Sequence, residues 1–457
     1  MMTERRTHQL KMYTLTLEDM VPQDHFLRKV DKLINFDFIY DEVRGLYSDR
    51  GRPSIDPVVL IKSLLLGYLF GINSERQLEM EIQVNIAYRW FLKLDLDEQV
   101  PDHSTMSQNR RRRFNGADLF RKLFERILAE CIKGRLVDGK LIMTDSTHIR
   151  ASALRQSEVR IDVEKAASSY IERLDKYETE ERIRLESAGK LAPKRERLNL
   201  QKHLALTTKT ISKTDPDAGL LGRPGKPLGT HYLDHQSVDS KNGIIVDVEV
   251  TAGNTNDCTP YLDRIDYIRD KIGIHIEAVA LDSGYDTSLI HKTMSDKGIC
   301  VSTPETKTKN NYKVEIKRDA FVFNQADDTY TCPNGKQLTF RSLERSESSI
   351  VHEYATTPKD CRDCPLKDRC LAPSQQSRRI GINIFESAVR KHYERYGTPE
   401  HKRALDQRQI WCEGVFATQI RKHNLRQLER RGLEAARDHC LLSATVMNIK
   451  RMVKCAS

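Results

Sequence analysis

Residues 141–152 read LIMTDSTHIRAS, and residues 276–287 read IEAVALDSGYDT. Each is a short apolar run that delivers an aspartate, Asp145 or Asp282, with a serine directly after it. A short apolar run bounded by polar residues is the pattern of a buried strand. An aspartate at the carboxyl end of such a strand stands at the rim of a sheet, where sites form. Aspartates also follow strands as plain turn and cap residues, so either one alone decides little. The shared strand-Asp-Ser form is what singles out the pair. Two such carboxylates on adjacent strands can share a divalent cation. Mg²⁺ takes oxygen ligands, keeps several waters and binds through one or two carboxylates plus substrate phosphate.

Working outward, HYLDHQSVD (231–239) and GIIVDVEVT (243–251) are extended runs joined at Lys241-Asn242-Gly243. Asn-Gly between such runs signals a hairpin. GICVSTPE (298–305) is another short strand. Between the first aspartate strand and the hairpin lies a segment of about 156–205, rich in Glu, Lys and Arg. Val163, Tyr170, Leu174 and Tyr177 form a narrow apolar seam there, which predicts a helical insertion interrupted at Pro193.

The front of the chain reads as helical from about 20 to 133. Asp56-Pro57 is an N-cap with proline at the first helical position, opening the apolar run Val58–Ile72. That run is too short to span a bilayer and contains Lys62, so it predicts a buried helix of a soluble protein. Ser74 with Gln77, and Thr105 with Gln108, fit capping boxes. Phe120, Leu123, Phe124, Ile127, Leu128 and Cys131 follow a spacing of three and four, and Gly134 closes that helix. Arg110, Arg111, Arg112 and Arg113 follow the second box. On a helix some of them face outward, where they can meet a phosphate backbone, although a charged run is as often a solvated face.

The whole chain of 457 residues has a formal net charge of +10, a balance that favours a polyanionic partner, most commonly nucleic acid. Its first thirty residues carry no apolar block ahead of a small-residue cleavage site, so a cytoplasmic, nucleoid-associated protein without membrane segments is expected. Of ten cysteines, six are scattered singly, as in reduced proteins. The other four, Cys332, Cys361, Cys364 and Cys370, share one segment. Four thiolates suit tetrahedral Zn²⁺, but Cys332 and Cys370 form no second close pair. A structural zinc site, metal-free reduced thiols and a redox pair all remain open.

The order of these features resembles the DDE-type transposases of bacterial insertion sequences. IMTDSTHIRA around Asp145 and VALDSGYDT around Asp282 are similar to the family's two aspartate motifs. WCEGVFATQIRKHNLRQLERRGLEAARDHCLLSATVMNIKR (411–451) is similar to its glutamate region, with Glu413, Gly414 and Phe416 at the glutamate turn. The family's arginine before the glutamate and lysine after it have Arg408 and Arg421 as nearest counterparts. Arg421 is an arginine where lysine is usual, one position late. The hairpin stretch 229–257 and GRPSIDPVVLIKSLLLGYLFGI (51–72) also resemble the family, so the likeness spans nearly the whole chain.

The resemblance implies an α/β fold with a ribonuclease-H-like mixed-sheet core, and an all-α amino-terminal domain. The expected division is a DNA-binding helical domain at 1–134, the first part of the core at 135–304, a cysteine-containing insertion at 305–390 and a carboxyl-terminal helical part of the core at 391–457. It implies a catalytic set of Asp145, Asp282 and Glu413 holding Mg²⁺ or Mn²⁺ in a two-metal mechanism, with DNA contacts from Arg110 to Arg113, Arg408 and Arg421. The implied partner is double-stranded DNA, both terminal inverted repeats and target, and the implied assembly is a homodimer on that DNA. A metal-dependent nuclease, and a domesticated DNA-binding protein without strand transfer, are the alternatives.

Overall fold

The structure is a computed structural model that describes residues 14–48, 50, 54–164, 168–192, 206–222, 228–305, 314–346 and 348–456. Pro193 lies outside them. The chain forms two compact units. One gathers residues 1–136, 415–430 and 434–457, and the other holds 137–414 with 431–433.

The first unit is helical and built around Pro57–Phe70. The Asp56 side chain accepts from Val58 N–H at 2.7 Å, Pro57 fills the first position, and Gly71 closes the helix at φ 73°. Residues Leu60 to Gly67 and Leu69 are buried, so the helix is apolar all round because it is covered all round. Lys62 is buried with them. Its ammonium donates to Asp31 at 2.8 Å and to the Phe91 carbonyl at 3.0 Å, which satisfies a charge that burial would otherwise expel. No single helix among the described residues is long and apolar enough to cross a membrane.

Helix Leu119–Lys133 buries the six expected residues, with Gly134 as its C-cap. The Ser74 cap is present, its hydroxyl accepting from Gln77 N–H at 3.4 Å. The second expected box is not. Helix His103–Gln108 is capped by Asp102, whose carboxylate accepts from Ser104 N–H at 2.7 Å. Thr105 therefore lies inside the first turn. A carboxylate three residues earlier is the better acceptor for orphan N–H groups at a helix start.

The carboxyl-terminal helix Leu433–Ala456 buries fourteen residues, among them Cys440, Leu441, Leu442, Ala444 and Ile449. The expectation that 391–457 completes the core is corrected here: 415–430 and 434–457 belong to the helical unit. An apolar face this wide needs a helical partner surface, and Tyr68 on the central helix supplies part of it, bonding His439 Nδ1 at 2.7 Å.

The second unit is built on five core strands: β1 (Ile142–Arg150), β2 (Gly229–Asp239), β3 (Ile245–Ala252), β4 (Ala278–Ala280) and β5 (Cys300–Ser302). Their order is β3-β2-β1-β4-β5, with a short strand Gly219–Leu221 also paired to the start of β2. The pairs β1–β2 and β2–β3 are antiparallel, while β1–β4 and β4–β5 are parallel. This is the ribonuclease-H-like mixed sheet. The β2–β3 hairpin turns where Asn-Gly predicts, with Gly243 at φ 68° and its N–H donating to the Asp239 carbonyl at 3.0 Å. Gly139, ahead of β1, is at φ 70°, and a Cβ there would stand 2.0 Å from the His275 carbonyl oxygen. Only glycine allows the β4 side of the sheet to approach so closely.

The charged insertion is not wholly helical. Glu158–Glu164 is a strand paired antiparallel with Leu206–Ser212, so Val163 belongs to a ribbon. The helix is Ser169–Ser187, burying Tyr170, Leu174 and Leu185, and Tyr177 packs edge-on against Phe385 at 4.9 Å. Alternating Val159, Ile161 and Val163 carry a strand period that the helical seam masked. The cysteine insertion is a five-stranded antiparallel sheet, in order Arg379–Asn383, Ile350–Ala355, Gln337–Arg345, Thr329–Thr331 and Val322–Asn324.

Candidate active site

Asp145 is the fourth residue of β1, which runs on to Arg150. The expectation that this strand ends on its aspartate is corrected. β2, eleven residues long, keeps pairing past it, with Asp145 opposite Gln236. What ends near Asp145 is the parallel partner: β1 meets β4 only at Ile142–Val279 and Met143–Ala280. Asp282, two residues beyond β4, therefore emerges on the same side of the gap that β4 leaves. A buried Thr144–Ser237 hydroxyl pair at 2.8 Å fixes β1 on β2 just before Asp145.

Helix Pro399–Arg408 and the π-helical turn Gln409–Glu413 pack on this part of the sheet. Arg408 closes the helix, and its guanidinium serves both strands. Nη1 donates to Asp145 Oδ2 at 2.9 Å, and Nη2 lies 3.9 Å from Asp282 Oδ1. The Asp145 side chain is 20% exposed and that of Asp282 is 48% exposed, which separates their electrostatics. Burial raises the Asp145 pKa, and the charges of Asp282 and Asp257 push it further the same way. The Arg408 guanidinium and the Ser146 N–H oppose them.

Asp257 is a residue that sequence reading passed over. It accepts from the Ser146 hydroxyl at 2.7 Å. A Cβ on Gly284 would come within 3.0 Å of its other oxygen. The carboxylate thus bonds the neighbour of Asp145 and lies where a side chain at Gly284, in the turn after Asp282, would have to go. The one signal was its place at the end of the TAGNTND run after β3.

The glutamate turn packs against β1 and β2. Within it Cys412 is buried and Glu413 is exposed. The Cys412 thiol is pushed up by burial and by the charges of Asp145 and Glu413, against Arg408. Asp145, Asp282 and Glu413 are not among the groups of three donor atoms that lie within 4.8 Å of one another in the described residues. Asp286, His291 and His392 do form such a group. It reads as a buried polar network: His291 Nε2 meets Asp286 at 2.7 Å, His392 stacks on His291 at 4.2 Å, and Thr303 meets His392 Nε2 at 2.9 Å.

In the helical unit the arginine run forms the π turn Asn109–Arg113. Arg110 points inward, buried, donating to Glu75 at 2.8 Å. Arg113 donates to Asn109 at 2.9 Å and lies over the Tyr47 ring at 4.1 Å. Arg111 and Arg112 are exposed, as is Arg421. Of the six arginines read as DNA contacts, Arg110 and Arg408 are instead engaged with carboxylates of their own unit.

The comparisons with known proteins bear on this geometry. Residues 15–112 match the family described as Transposase domain (DUF772), and residues 331–453 match that described as Transposase DDE domain. The second match contains Glu413 and begins after Asp145 and Asp282. No curated protein matches the chain. Among solved structures, a cryo-EM structure of the piggyBac transposase synaptic complex with hairpin DNA aligns at 9% identity over 95% of this chain and 77% of that one, with a TM-score of 0.38. The Mos1 transposase paired-end complex with left transposon end aligns at 11% identity over 56% of this chain and 61% of that one, with a TM-score of 0.17. The assignment rests on the two family matches. These two stretches, 15–112 and 331–453, are similar to transposase domains, and together they support a DNA transposase.

Proposed function

We propose that the chain cuts DNA at the ends of its insertion sequence and joins those ends to a target, with Asp145, Asp282 and Glu413 holding Mg²⁺ or Mn²⁺. The observation that carries this reading is the shared guanidinium of Arg408, 2.9 Å from Asp145 and 3.9 Å from Asp282. Two carboxylates from separate strands, about 137 positions apart, already converge on one positive charge. That donor set of carboxylate oxygens suits a hard divalent cation. When bound, two such ions would activate the attacking oxygen and stabilise the leaving one.

The chain's own residues prepare the site. Arg408 opposes the burial that raises the Asp145 pKa. Asp257 accepts from the Ser146 hydroxyl beside Asp145 and leaves little room for a side chain at Gly284 in the turn after Asp282. The exposed Glu413 ends the turn that packs on β1, the strand of Asp145, and on β2. Double-stranded DNA is the substrate, and the net charge of +10 draws it in. Arg111, Arg112 and Arg421 are the exposed arginines for phosphate contact. Two copies of the chain assembled on DNA would bring two ends together.

The test uses a supercoiled plasmid carrying the terminal repeats, with Mg²⁺ or Mn²⁺. The expected result is end cleavage and joined products, with Asp145→Asn losing on the order of 10³-fold or more in cleavage while gel-shift affinity stays near wild type. Cleavage without joined products would favour a nuclease. Near-normal cleavage by Asp145→Asn would remove Asp145 from the site.

A further inference from the structure

The insertion between β5 and the glutamate turn has a small core. Phe321, Leu338, Tyr354 and Ile380 are buried together, with Ile316, Tyr330, Cys332, Phe340, Cys370 and Ile382 packed against them. Among the described residues this cluster is small for a five-stranded sheet. The feature that accompanies this core is a cavity of about 20 Å³ lined by Cys332, Cys361, Cys364 and Cys370. It has room for about one water-sized body, and it brings together sulfurs from three places in the chain.

We propose that these four cysteines hold a structural zinc ion that fastens the insertion. Cys332 follows strand Thr329–Thr331 and opens a tight turn. Its N–H donates to the Lys336 carbonyl at 2.8 Å, and its Sγ accepts from Lys336 N–H at 3.3 Å. Cys361 lies in the helical turn Pro358–Arg362, Cys364 follows two residues after that turn, and Cys370 ends the turn Lys367–Cys370. Asn334 Nδ2, from the Cys332 turn, donates to Cys364 Sγ at 3.4 Å, and Thr356 Oγ1 lies 3.1 Å from Cys361 Sγ. The N–H groups of Asn334 and Lys336 aimed at sulfur stabilise thiolate, the form that binds metal.

Charge points the same way. Lys336, Lys367 and Arg378 line the cavity against one carboxylate, Asp360. Zinc with four thiolates carries two net negative charges, and this surrounding excess of cations offsets them. None of the cysteines is disulfide-bonded in the structure. The four sulfurs are not among the donor groups lying within 4.8 Å of one another. A tetrahedron with zinc–sulfur bonds of about 2.3 Å has sulfurs about 3.8 Å apart, so binding requires them to draw inward by side-chain rotation.

The site is closed, with four protein ligands and no position for water, so its role is structural. It is independent of the carboxylate site, which keeps the two readings separable. Full-length protein, purified without chelator, is expected to carry about one zinc per chain by elemental analysis. A Cys361→Ser/Cys364→Ser variant should lose it. Asp145→Asn and a Cys300→Ser/Cys455→Ser variant should keep it, showing that neither the Asp145 carboxylate nor these two thiols hold the ion. In case the double variant does not fold, cobalt-grown wild-type protein supplies a second readout, the thiolate-to-cobalt absorption of a tetrahedral site. Zinc near zero in the wild type, iron in its place, zinc retained in the Cys361→Ser/Cys364→Ser variant, or cobalt protein without that absorption would each overturn the proposal.

Discussion

Arg408 does at residue scale what the bare motif does not disclose. Asp145 is mostly buried, and burial favours its neutral form, as do the nearby charges of Asp282 and Asp257. The guanidinium is the main opposing charge. Arg408→Ala removes it, so the Asp145 pKa should rise further. Only the carboxylate form holds a metal ion. The acidic limb of the cleavage pH profile should therefore move to higher pH, while Arg408→Lys should restore part of the shift. A limb that stays in place in Arg408→Ala would show that Asp145 ionisation does not limit the reaction. Sequence reading found the two aspartates because strand-Asp-Ser recurs. It missed Asp257, because a lone aspartate in a polar loop has no local pattern. Its part appears only when Ser146 and Gly284 are brought beside it.

The arginine run shows at element scale why four successive cations are not one patch. A turn of helix distributes them around its axis, and the fold sends each to a different surrounding. Arg110 goes inward to Glu75, and Arg111 and Arg112 go to solvent. Two substitutions should separate these roles. Arg110→Ala leaves Glu75 without its partner in a partly buried place, and should cost about 1–3 kcal/mol in a denaturant titration. Arg111→Ala/Arg112→Ala should leave the unfolding midpoint unchanged, weaken DNA binding regardless of sequence, and flatten its salt dependence by about one to two counterions. Equal loss of stability in both variants, or an unchanged salt slope in the second, would contradict this division. The central helix, the helix closed by Gly134 and the Asn-Gly hairpin were all legible, because caps and period agree there. The ribbon Glu158–Glu164 with Leu206–Ser212 was not. Its partner strand lies 42 positions away from its end, and charge obscured its alternation.

At the scale of the whole molecule, each unit carries histidines that its own packing keeps neutral. Burial lowers His235 to about 3 and His392 to about 4 in the core, and His423 to about 3 and His439 to about 4 in the helical unit. A histidine freed by unfolding titrates near 6.5. Below that value the unfolded chain takes up protons that the folded chain refuses, so stability falls as pH falls. The loss should begin near pH 6.5 and deepen toward pH 4, at about 1–2 kcal/mol per histidine by pH 5. Asp438 works the other way. Burial raises it to about 6, so its ionisation costs stability as pH rises through that value, and acid relieves that cost. Burial also raises Asp145, Asp215 and Asp239 and lowers His231 and His352, so six histidines stand against four carboxylates and the net is a loss in acid. Thermal unfolding followed from pH 7.5 to pH 5 should show a falling midpoint in both units. His423→Gln, if its fold holds at pH 7.5, should flatten that slope, because one proton-linked group is gone. A midpoint independent of pH over this range would mean that these histidines are reached by solvent and protonated in the folded state.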